Sequence, residues 1–249
     1  MITKNQIQLI KSLQTTKGRK INQLFVAEGK KCITDLLRSD LKLVYLFETE
    51  PIFNPTTFAE IAKLIERISE SDLKKISSLT IANNCLAVFE IPVPKLIQQT
   101  GLIVALDDIQ DPGNFGTIIR LCDWFGVDQL ICSEATVDVY NPKVIQATMG
   151  AIVGVSVVYT NLQQFLSETK LPIFGTFMNG VNVYNAALPE NGIIVFGNEG
   201  NGISKQIEGL IAQRISIPSF NDSLHAESLN VATATAIVLS EFRRRKFEC

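Results

Sequence analysis

The sequence has one histidine, five cysteines and no long apolar run, and each shortage excludes a class of protein. One imidazole, that of His225, is too few for a multi-histidine metal site. The cysteines are irregularly spaced without a CxxC pair, which disfavours a disulfide framework and a zinc site and favours buried thiols in a reducing compartment. There is no run of about 18 apolar residues and no apolar signal core at the N-terminus. We therefore expect a cytoplasmic protein with neither a metal nor a membrane partner.

The chain also lacks an excess of positive charge. Lysine and arginine number 23 against 25 aspartates and glutamates, a formal net charge of −2, which excludes a protein coated with cations for unspecific polyanion binding. Local basic patches remain, because residues 1–31 carry seven cations against one acid and Arg243–Lys246 forms a second cluster. The second cluster is equally well explained as cations that complement the C-terminus of a helix.

Composition and patterning indicate an α/β protein with two domains. The 249 residues are 46% hydrophobic and 19% charged, which is a globular composition. Two prolines in Ile91–Lys95 favour extended backbone, so we place a boundary there, between residues 1–95 and residues 96–249. In the second part, short apolar runs alternate with helical segments, which predicts a parallel sheet buried on both faces. Ligands in such sheets bind outside the carboxyl ends of the strands.

The pattern also predicts individual elements. In the first part, the expected strands are Leu24–Ala27, Leu41–Phe47 and Cys85–Ile91. The expected helices are Lys30–Arg38, one that begins with Pro55–Leu64, and Ser71–Ile76 with Ser71 as N-cap. Between Ala62 and Ile68 the pattern does not separate helix from strand. In the second part, the expected strands are Leu102–Leu106, Gln129–Cys132, Val155–Tyr159, Pro172–Phe177, Gly192–Phe196 and Arg214–Pro218. The expected helices there are Phe115–Phe125, Pro142–Met149, Leu162–Glu168 and a last one from about Leu229 to Lys246.

The first informative loop follows the strand that ends at Leu106. Asp111–Asn114 has the residues of a turn, and Asn114 is a good N-cap for the next helix. An ordinary strand–turn–helix connection explains these residues but not Arg120, which lies among apolar neighbours six residues later. Because a charge is rarely buried alone, Arg120 must pair with another group, leave the core or face a ligand.

The second loop is Phe196–Ser204, which contains three glycines. Gly197 and Gly202 have the spacing of a phosphate-binding loop, but Ile203 stands where that loop requires lysine, and Glu199 would repel phosphate. The spacing also fails the GxGxxG pattern. This loop either holds a neutral or cationic ligand or is a tight strand–helix connection, and spacing alone favours neither.

The third loop runs from Ile217 to the start of the last helix. Ser228 is a candidate cap for that helix, whereas Asn230 is harder to explain structurally. The helix is rich in alanine and threonine and apolar on nearly every side, so we expect it to be deeply buried or to lie in an oligomer interface. His225 lies in this loop and is more often a surface or packing residue than a catalyst.

Together, the three loops resemble the motifs of the SpoU (TrmH-type) RNA ribose 2′-O-methyltransferases. The first motif is Asp111–Arg120, the second is Phe196–Gly202 and the third is Ile217–Val231, and the resemblance covers residues 101–246. In addition, Phe25–Gly29 resembles the start of the N-terminal substrate-binding domain that many members carry. Each loop alone is a weak signal, but their order and content together are specific.

The resemblance implies the SPOUT α/β-knot fold, in which a mostly parallel sheet carries a C-terminal trefoil knot, with a smaller N-terminal α/β domain that binds the RNA substrate. It implies S-adenosylmethionine as the methyl donor and a homodimer formed through the knotted domain. The substrate would be ribosomal or transfer RNA, and we favour ribosomal RNA because the accessory domain resembles ribosomal-protein folds. Cys122, where alanine is common, and the long loop between Pro218 and Glu227 depart from the family pattern.

The resemblance also assigns roles to individual residues. The implied catalytic set is Arg120, Asn114, Glu199, Ser228 and Asn230. The implied cofactor-binding set is Gly175, Thr176, Phe177, Gly197, Asn198, Gly200, Ile217, Ser228 and Leu229. The expected RNA-binding set is Lys17, Arg19, Lys20, Lys30 and Arg120.

Alternatives remain at this point. A non-catalytic RNA-binding protein that keeps the SPOUT fold is opposed by the presence of Arg120, Glu199 and Asn230. An oxidoreductase on a Rossmann sheet is opposed by the missing GxGxxG. Family mechanisms give Arg120 the task of taking the 2′-hydroxyl proton, but an arginine that stays protonated binds a backbone phosphate more easily.

Overall fold

Helices and strands alternate along most of the chain. The computed structural model describes residues 2–54, 56–221 and 228–244. The helices are α1 (Lys4–Ser12), α2 (Thr16–Asn22), α3 (Lys30–Leu37), α4 (Glu70–Ile76), α5 (Pro112–Trp124), α6 (Pro142–Thr148), α7 (Leu162–Glu168), α8 (Lys205–Glu208) and α9 (Val231–Arg244), with 3₁₀ helices at Ala59–Leu64 and Ala151–Val153. The strands are β1 (Leu24–Glu28), β2 (Leu43–Glu48), β3 (Ile65–Arg67), β4 (Cys85–Glu90), β5 (Leu102–Asp107), β6 (Gln129–Ser133), β7 (Ser156–Thr160), β8 (Ile173–Asn182), β9 (Gly192–Gly197) and β10 (Gln213–Ser216).

Backbone contacts divide the chain into two units, and each unit consists of two separate segments of the chain. The first unit holds residues 1–93 and 138–153, and the second holds residues 94–137 and 154–249. A boundary at residue 95 therefore misses the segment 138–153, which returns to the first unit. Its Tyr140 ring packs against Phe25, with the ring centroids 4.9 Å apart, and its Ile145 belongs to the same buried core.

The first unit is built on a four-stranded sheet in the order β1-β4-β2-β3. Strand β4 pairs antiparallel with both β1 and β2, whereas β3 joins β2 in parallel. The strand β3 lies in the segment 62–68 that the sequence pattern leaves unassigned. The side chains of Phe25, Ala87 and Phe89 are fully buried on one face, and those of Val26, Leu86 and Val88 on the other. This mixed α/β unit agrees with the predicted class of the N-terminal domain.

The second unit is built on a six-stranded sheet in the order β10-β8-β9-β5-β6-β7, and every neighbouring pair is parallel. The sequence prediction of a mostly parallel sheet is confirmed. Helices α7 and α8 pack on one face, where their apolar side chains join the core of β5, β6 and β9. On the other face α9 packs against α5 and β9, and Phe242 meets Phe174 edge to face at 5.4 Å. Burial of each such side chain contributes about 1.5–3 kcal/mol.

Helix α5 begins earlier than the sequence analysis expects. Its N-cap is Asp111, whose side chain accepts a hydrogen bond from the backbone N–H of Asn114, and Pro112 occupies the first helical position. Proline is favoured there because its fixed φ suits the helix and its missing N–H has no partner to lose. The prediction of Asn114 as N-cap is therefore wrong, and its side chain is free for another task.

Other elements also differ from the predictions. Helices α1 and α2 are not predicted, although Thr3 and Gln6 form a capping box that marks the start of α1. The cap of α4 is Ser69 and not Ser71, because Ser69 accepts the backbone N–H of Asp72. The segment expected as a helix from Pro55, a residue outside the described ones, forms only the 3₁₀ helix at its end.

The cysteines of the described part are buried and free, as predicted. They are Cys32, Cys85, Cys122 and Cys132. Burial raises the pKa of the Cys32 thiol to about 12 and that of Cys85 to about 11, so both stay protonated at neutral pH. Cys249 lies outside the described residues. Nor does any described helix have the length and apolar character that a bilayer crossing requires.

Candidate active site

The three loops singled out from the sequence meet at the carboxyl edge of the six-stranded sheet. Strands β5 and β9 are neighbours, and Asp107 at the end of β5 pairs with Gly197 at the end of β9. A chain of side-chain hydrogen bonds joins the loops: Asn230 Nδ2 donates to Asn114 Oδ1 at 2.8 Å, and Asn114 Nδ2 donates to Glu199 Oε1 at 3.0 Å. One residue from each motif therefore contributes to a single polar cluster, hereafter the Asn230–Asn114–Glu199 chain.

Asn230 is fixed by its place at the start of α9. Its Oδ1 accepts the backbone N–H groups of Ala232 at 2.9 Å and Thr233 at 3.3 Å, so it is the N-cap of that helix. With Oδ1 committed to the helix, the Nδ2 group is left to donate to Asn114. Ser228, the residue expected as cap, is exposed two positions earlier.

Glu199 places a carboxylate at the N-terminus of α5. Its oxygens accept Asn114 Nδ2 and, at 3.4 Å each, the backbone N–H groups of Gln110 and Asp111. The positive end of a helix dipole favours an anion at this position. Glu199 remains exposed to solvent, so it can also meet a ligand in the crevice.

The glycine turn of residues 197–202 is closed by its own backbone. Asn198 and Gly202 exchange two backbone hydrogen bonds of 3.0 and 2.9 Å, and a Cβ on Gly197 would lie 2.2 Å from backbone atoms of Gly202 and Ile203. Only glycine fits at position 197. Gly200 is different, because the nearest atom to a Cβ there is 3.6 Å away.

Asn198 has a structural role within this turn. Its Oδ1 accepts the backbone N–H groups of Gly200 at 2.9 Å and Asn201 at 3.0 Å, and its Nδ2 donates to the carbonyl oxygen of Asp108 at 2.7 Å. The side-chain amide of Asn198 is thus committed within the protein, and the donor contact that the resemblance implies for this residue stays a prediction. It shapes the turn and ties it to the loop after β5.

Two residues of this edge were missed by the sequence analysis. Asp107 is buried, and its carboxylate accepts the backbone N–H of Ser204 at 2.7 Å at the start of α8. Asp108 adopts a left-handed φ of 61°, and its backbone N–H donates to Ser133 Oγ at 2.9 Å. Such backbone strain in a residue other than glycine is common at functional sites. The available signal was the pair of aspartates directly after a buried strand.

Arg120 lies on α5, about 9 Å along the helix axis from Asn114. It is exposed, and it makes no hydrogen bond or ion pair with any residue that the structure describes. Of the three alternatives that the sequence left open, pairing within the described chain is excluded, Arg120 does leave the core, and contact with a ligand stays a prediction. All five guanidinium N–H donors are therefore available to a ligand.

The other expected donor contacts lie on β8, directly after β10 and before α9. Gly175, Thr176 and Phe177 lie on β8, and the Thr176 hydroxyl donates to the carbonyl of Val195 at 3.1 Å. Ile217 follows β10 and is half-buried, and Leu229 precedes α9 and is 49% exposed.

The residues at this edge of the sheet are suited to bind S-adenosylmethionine. The exposed side chain of Leu229, which directly precedes Asn230, can pack against an adenine ring, and the carboxylates of Glu199 and Asp108 attract a cation. The same carboxylates oppose a phosphate-bearing cofactor. Within residues 2–54, 56–221 and 228–244, no group of His, Cys, Asp and Glu side chains is arranged to hold a metal ion. His225 lies outside the described residues.

Arg19 does not belong to an RNA-binding surface. Its side chain is 1% exposed, and its Nη2 lies 2.6 Å from Asp138 Oδ2. It also donates to the carbonyl of Leu13 at 2.8 Å and to Thr16 Oγ1 at 3.1 Å. The expectation from local charge is therefore corrected, because charge counts do not distinguish a buried pair from an exposed cation. The other three expected lysines, Lys17, Lys20 and Lys30, are exposed.

The basic C-terminal cluster is structural in its described half. Arg243 donates through Nε to the carbonyl of Phe125 at 2.7 Å and through Nη2 to that of Gly126 at 2.6 Å, directly after α5 ends. Cations favour such helix C-termini. Arg244 pairs with Glu241 at 2.8 Å. Arg245 and Lys246 lie outside the described residues.

Known protein families match both parts of the chain. Residues 101–240 match the SpoU rRNA Methylase family, and residues 4–87 match an MRM3-like substrate binding domain. The 23S rRNA (guanosine(2553)-2′-O)-methyltransferase RlmP of Bacillus subtilis is 28% identical over 237 residues, which are 94% of each chain.

Solved structures are similar over nearly the whole chain. A TrmH-family structure from Porphyromonas gingivalis has a TM-score of 0.87 and 36% identity, covering 98% of this chain and 99% of that one. An AdoMet-bound rRNA methyltransferase from Sinorhizobium meliloti has a TM-score of 0.85 and 26% identity, covering 98% and 96%. With its parallel sheet, its linked loops and a matching family model over more than half its length, the chain belongs to the SpoU rRNA methylase family.

Proposed function

We propose that this protein transfers the methyl group of S-adenosylmethionine to a ribose 2′-oxygen of RNA. The observation that carries the proposal is the Asn230–Asn114–Glu199 chain, which joins the three motif loops at one edge of the sheet. Arg120 stands on the same helix as Asn114 with its guanidinium unpaired among the described residues. The named 2′-O-methyltransferase activity of the Bacillus subtilis relative supports this reaction.

Different residues of the crevice have different roles in this reaction. S-Adenosylmethionine, when bound, supplies an electrophilic methyl group on a positively charged sulfur. The Glu199 carboxylate and the apolar side chain of Leu229 bind and orient that donor, and Asn114 holds Glu199 in place. The ribose oxygen gains a C–O bond as the C–S bond breaks, and its proton leaves to a base or to solvent.

We assign Arg120 the binding of an RNA phosphate beside the target ribose. An arginine stays protonated in proteins, so it is a poor base and a strong bidentate partner for phosphate. On this assignment, Arg120→Ala weakens RNA binding and lowers methyl transfer together. RNA affinity by filter binding and single-turnover methyl transfer test it. Unchanged affinity with abolished transfer would favour proton removal by Arg120 and overturn the phosphate assignment.

Ribosomal RNA is the proposed substrate, within the cytoplasm. Both the family description and the RlmP relative name ribosomal RNA as their substrate. Mapping of ribose methylation in cells that lack the gene tests this proposal. One lost 2′-O-methyl site in ribosomal RNA is the expected result, and a lost site in transfer RNA instead would contradict it.

We also propose a homodimer through α5 and α9, within the knotted domain that the resemblance implies. Trp124 at the end of α5 is 84% exposed, although it is large and apolar. On α9, Thr233 and Ser240 are exposed and Ala236 and Ile237 are half-buried, so this helix has a close-packing face without a described neighbour. A second copy would cover both surfaces.

The only tryptophan of the chain reports on that interface. Sedimentation equilibrium should show a dimer, and the fluorescence of Trp124 should shift to the blue as protein concentration rises through the dissociation constant. Trp124→Ala should weaken association. A monomer at micromolar concentration that retains full activity would contradict the dimer.

A further inference from the structure

Strand β8 leaves the sheet and returns to it. It pairs with β10 first at Phe174 and Gly175 and again at Val181 and Asn182, whereas the partners on β10 are consecutive residues. Five residues, Thr176 to Gly180, are therefore extruded between Arg214 and Ile215 of β10; we name this segment the β8 bulge. Irregular strand pairing is over-represented next to active sites, where it changes the direction of side chains. The expected donor contacts Thr176 and Phe177 lie on it.

The side chain of Arg214, on β10, contacts two residues of the β8 bulge. The guanidinium carbon of Arg214 lies 3.7 Å from the centroid of the Phe177 ring, and its Nη2 donates to Asn179 Oδ1 at 3.2 Å. Its Nη1 also pairs with Glu208 of α8 at 2.5 Å. Arg214 thus connects the β8 bulge with the helix that follows the glycine turn. Both of these segments border the proposed donor site.

Close packing leaves no room for a side chain at Gly180, the last residue of the β8 bulge, or at Gly175, the residue before the bulge. A Cβ on Gly180 would lie 2.8 Å from backbone atoms of Arg214, so the chain passes β10 closely there. At the other end, a Cβ on Gly175 would lie 2.5 Å from Ile211 Cδ1. The ends are fixed by packing. Between them, Phe177 packs against the buried core and carries Arg214 over its ring, and the exposed Asn179 accepts a hydrogen bond from Arg214.

We propose that Arg214 is a positioning residue that holds the β8 bulge as one wall of the methyl-donor pocket. The inference rests on the proposed function, because it takes Gly175–Phe177 as part of the donor site. Arg214 acts through Phe177 and Asn179 and does not need to touch the donor. The ion pair with Glu208 is 41% and 37% exposed, so it stabilises the fold little, and its removal should act on binding more than on folding.

Donor binding tests the proposal. Arg214→Ala should raise the dissociation constant of S-adenosylmethionine, measured by calorimetry, about three- to tenfold, which is the range expected for an exposed cation–π contact with an ion pair. The KM for the donor should rise likewise, with kcat at saturating donor within about twofold and an unchanged melting temperature. Arg214→Lys should restore part of the affinity, since it keeps the charge over the ring. Lys42→Ala is the matched control, because it removes an exposed ion pair, with Glu90, in the first unit.

A double-mutant cycle separates positioning from general stability. Phe177→Leu should weaken donor binding, and Arg214→Ala in that background should add almost nothing. Additive effects, or an unchanged dissociation constant for Arg214→Ala, would overturn the inference while leaving the proposed function intact. Failure of the unmodified protein to bind S-adenosylmethionine would overturn both.

Discussion

At the scale of single residues, environment separates arginines that the sequence presents as equal. Arg19 and Arg120 were both expected to bind RNA, yet Arg19, from a basic stretch, is buried against Asp138, and Arg120, from an apolar stretch, is exposed. The exposure of Arg120 agrees with one of the alternatives drawn from the sequence, that this residue leaves the core, and its contact with a ligand stays a prediction. The sequence could not identify the role of Arg19, because Asp138 is 119 residues away and their contact depends on the return of residues 138–153 to the first unit.

Replacing Arg19 should therefore affect folding and not RNA recognition. Arg19→Ala leaves the largely buried carboxylate of Asp138 without its cation, and we expect a loss of about 2–3 kcal/mol in the free energy of unfolding. Urea denaturation measures it. Lys20→Ala, the exposed neighbour, should change stability by less than about 0.5 kcal/mol. Equal stabilities, with RNA affinity lost only in Arg19→Ala, would restore the role that charge alone suggested.

The two roles of Asn230, as a helix cap and as a hydrogen-bond donor to Asn114, should be separable by mutation. Asn230→Asp keeps an oxygen for the N–H groups of Ala232 and Thr233 but has no N–H for Asn114. We expect a melting temperature near that of the unmodified protein and methyl transfer lowered at least about tenfold, since the loss of a charge-orienting hydrogen bond acts on the site alone. Asn230→Ala should lose about 1 kcal/mol of stability as well. An active Asn230→Asp enzyme would show that the Asn230–Asn114–Glu199 chain is not needed.

At the scale of elements, buried strands were the most predictable features and local turns the least. The apolar runs of β5 and β9 lie within a residue of their predicted bounds, because a central parallel strand is apolar on both faces. Strand β8 was predicted to end at Phe177 and continues to Asn182. The pairing of Val181 and Asn182 with β10 depends on where β10 runs, and a local sequence pattern does not predict that. The candidate site followed from strand ends and motif residues, whereas its hydrogen bonds did not.

The glycine turn gives a prediction at this scale. In Gly197→Ala the new Cβ would collide with the backbone of Gly202, so the turn must open, and both donor affinity and stability should fall. Gly200→Ala is the matched control, as its Cβ meets nothing closer than 3.6 Å. Calorimetry with S-adenosylmethionine and thermal denaturation compare the two variants. Equal donor affinity in both would contradict the closed turn as part of the site.

At the scale of the whole molecule, an acidic chain must bind an acidic polymer through local cations. The net charge is −2, and the exposed lysines of the expected RNA-binding set, Lys17, Lys20 and Lys30, lie in the first unit. RNA affinity should fall steeply with salt, because each phosphate contact releases counterions. Replacing Lys17 or Lys20 by alanine should reduce the slope of log affinity against log salt by about one each. A salt-independent affinity would exclude these lysines as phosphate contacts.

Ribose 2′-O-methylation is tested by locating the RNA atom that receives the methyl group. Ribosomal RNA from cells that lack the gene is incubated with the purified protein and isotope-labelled S-adenosylmethionine, and the digested nucleosides are separated by mass spectrometry. We expect label on ribose in a single 2′-O-methylnucleoside, and less of it with Arg120→Ala at the same RNA concentration. Label on a base, or an undiminished amount of label on ribose with Arg120→Ala, would contradict the proposal.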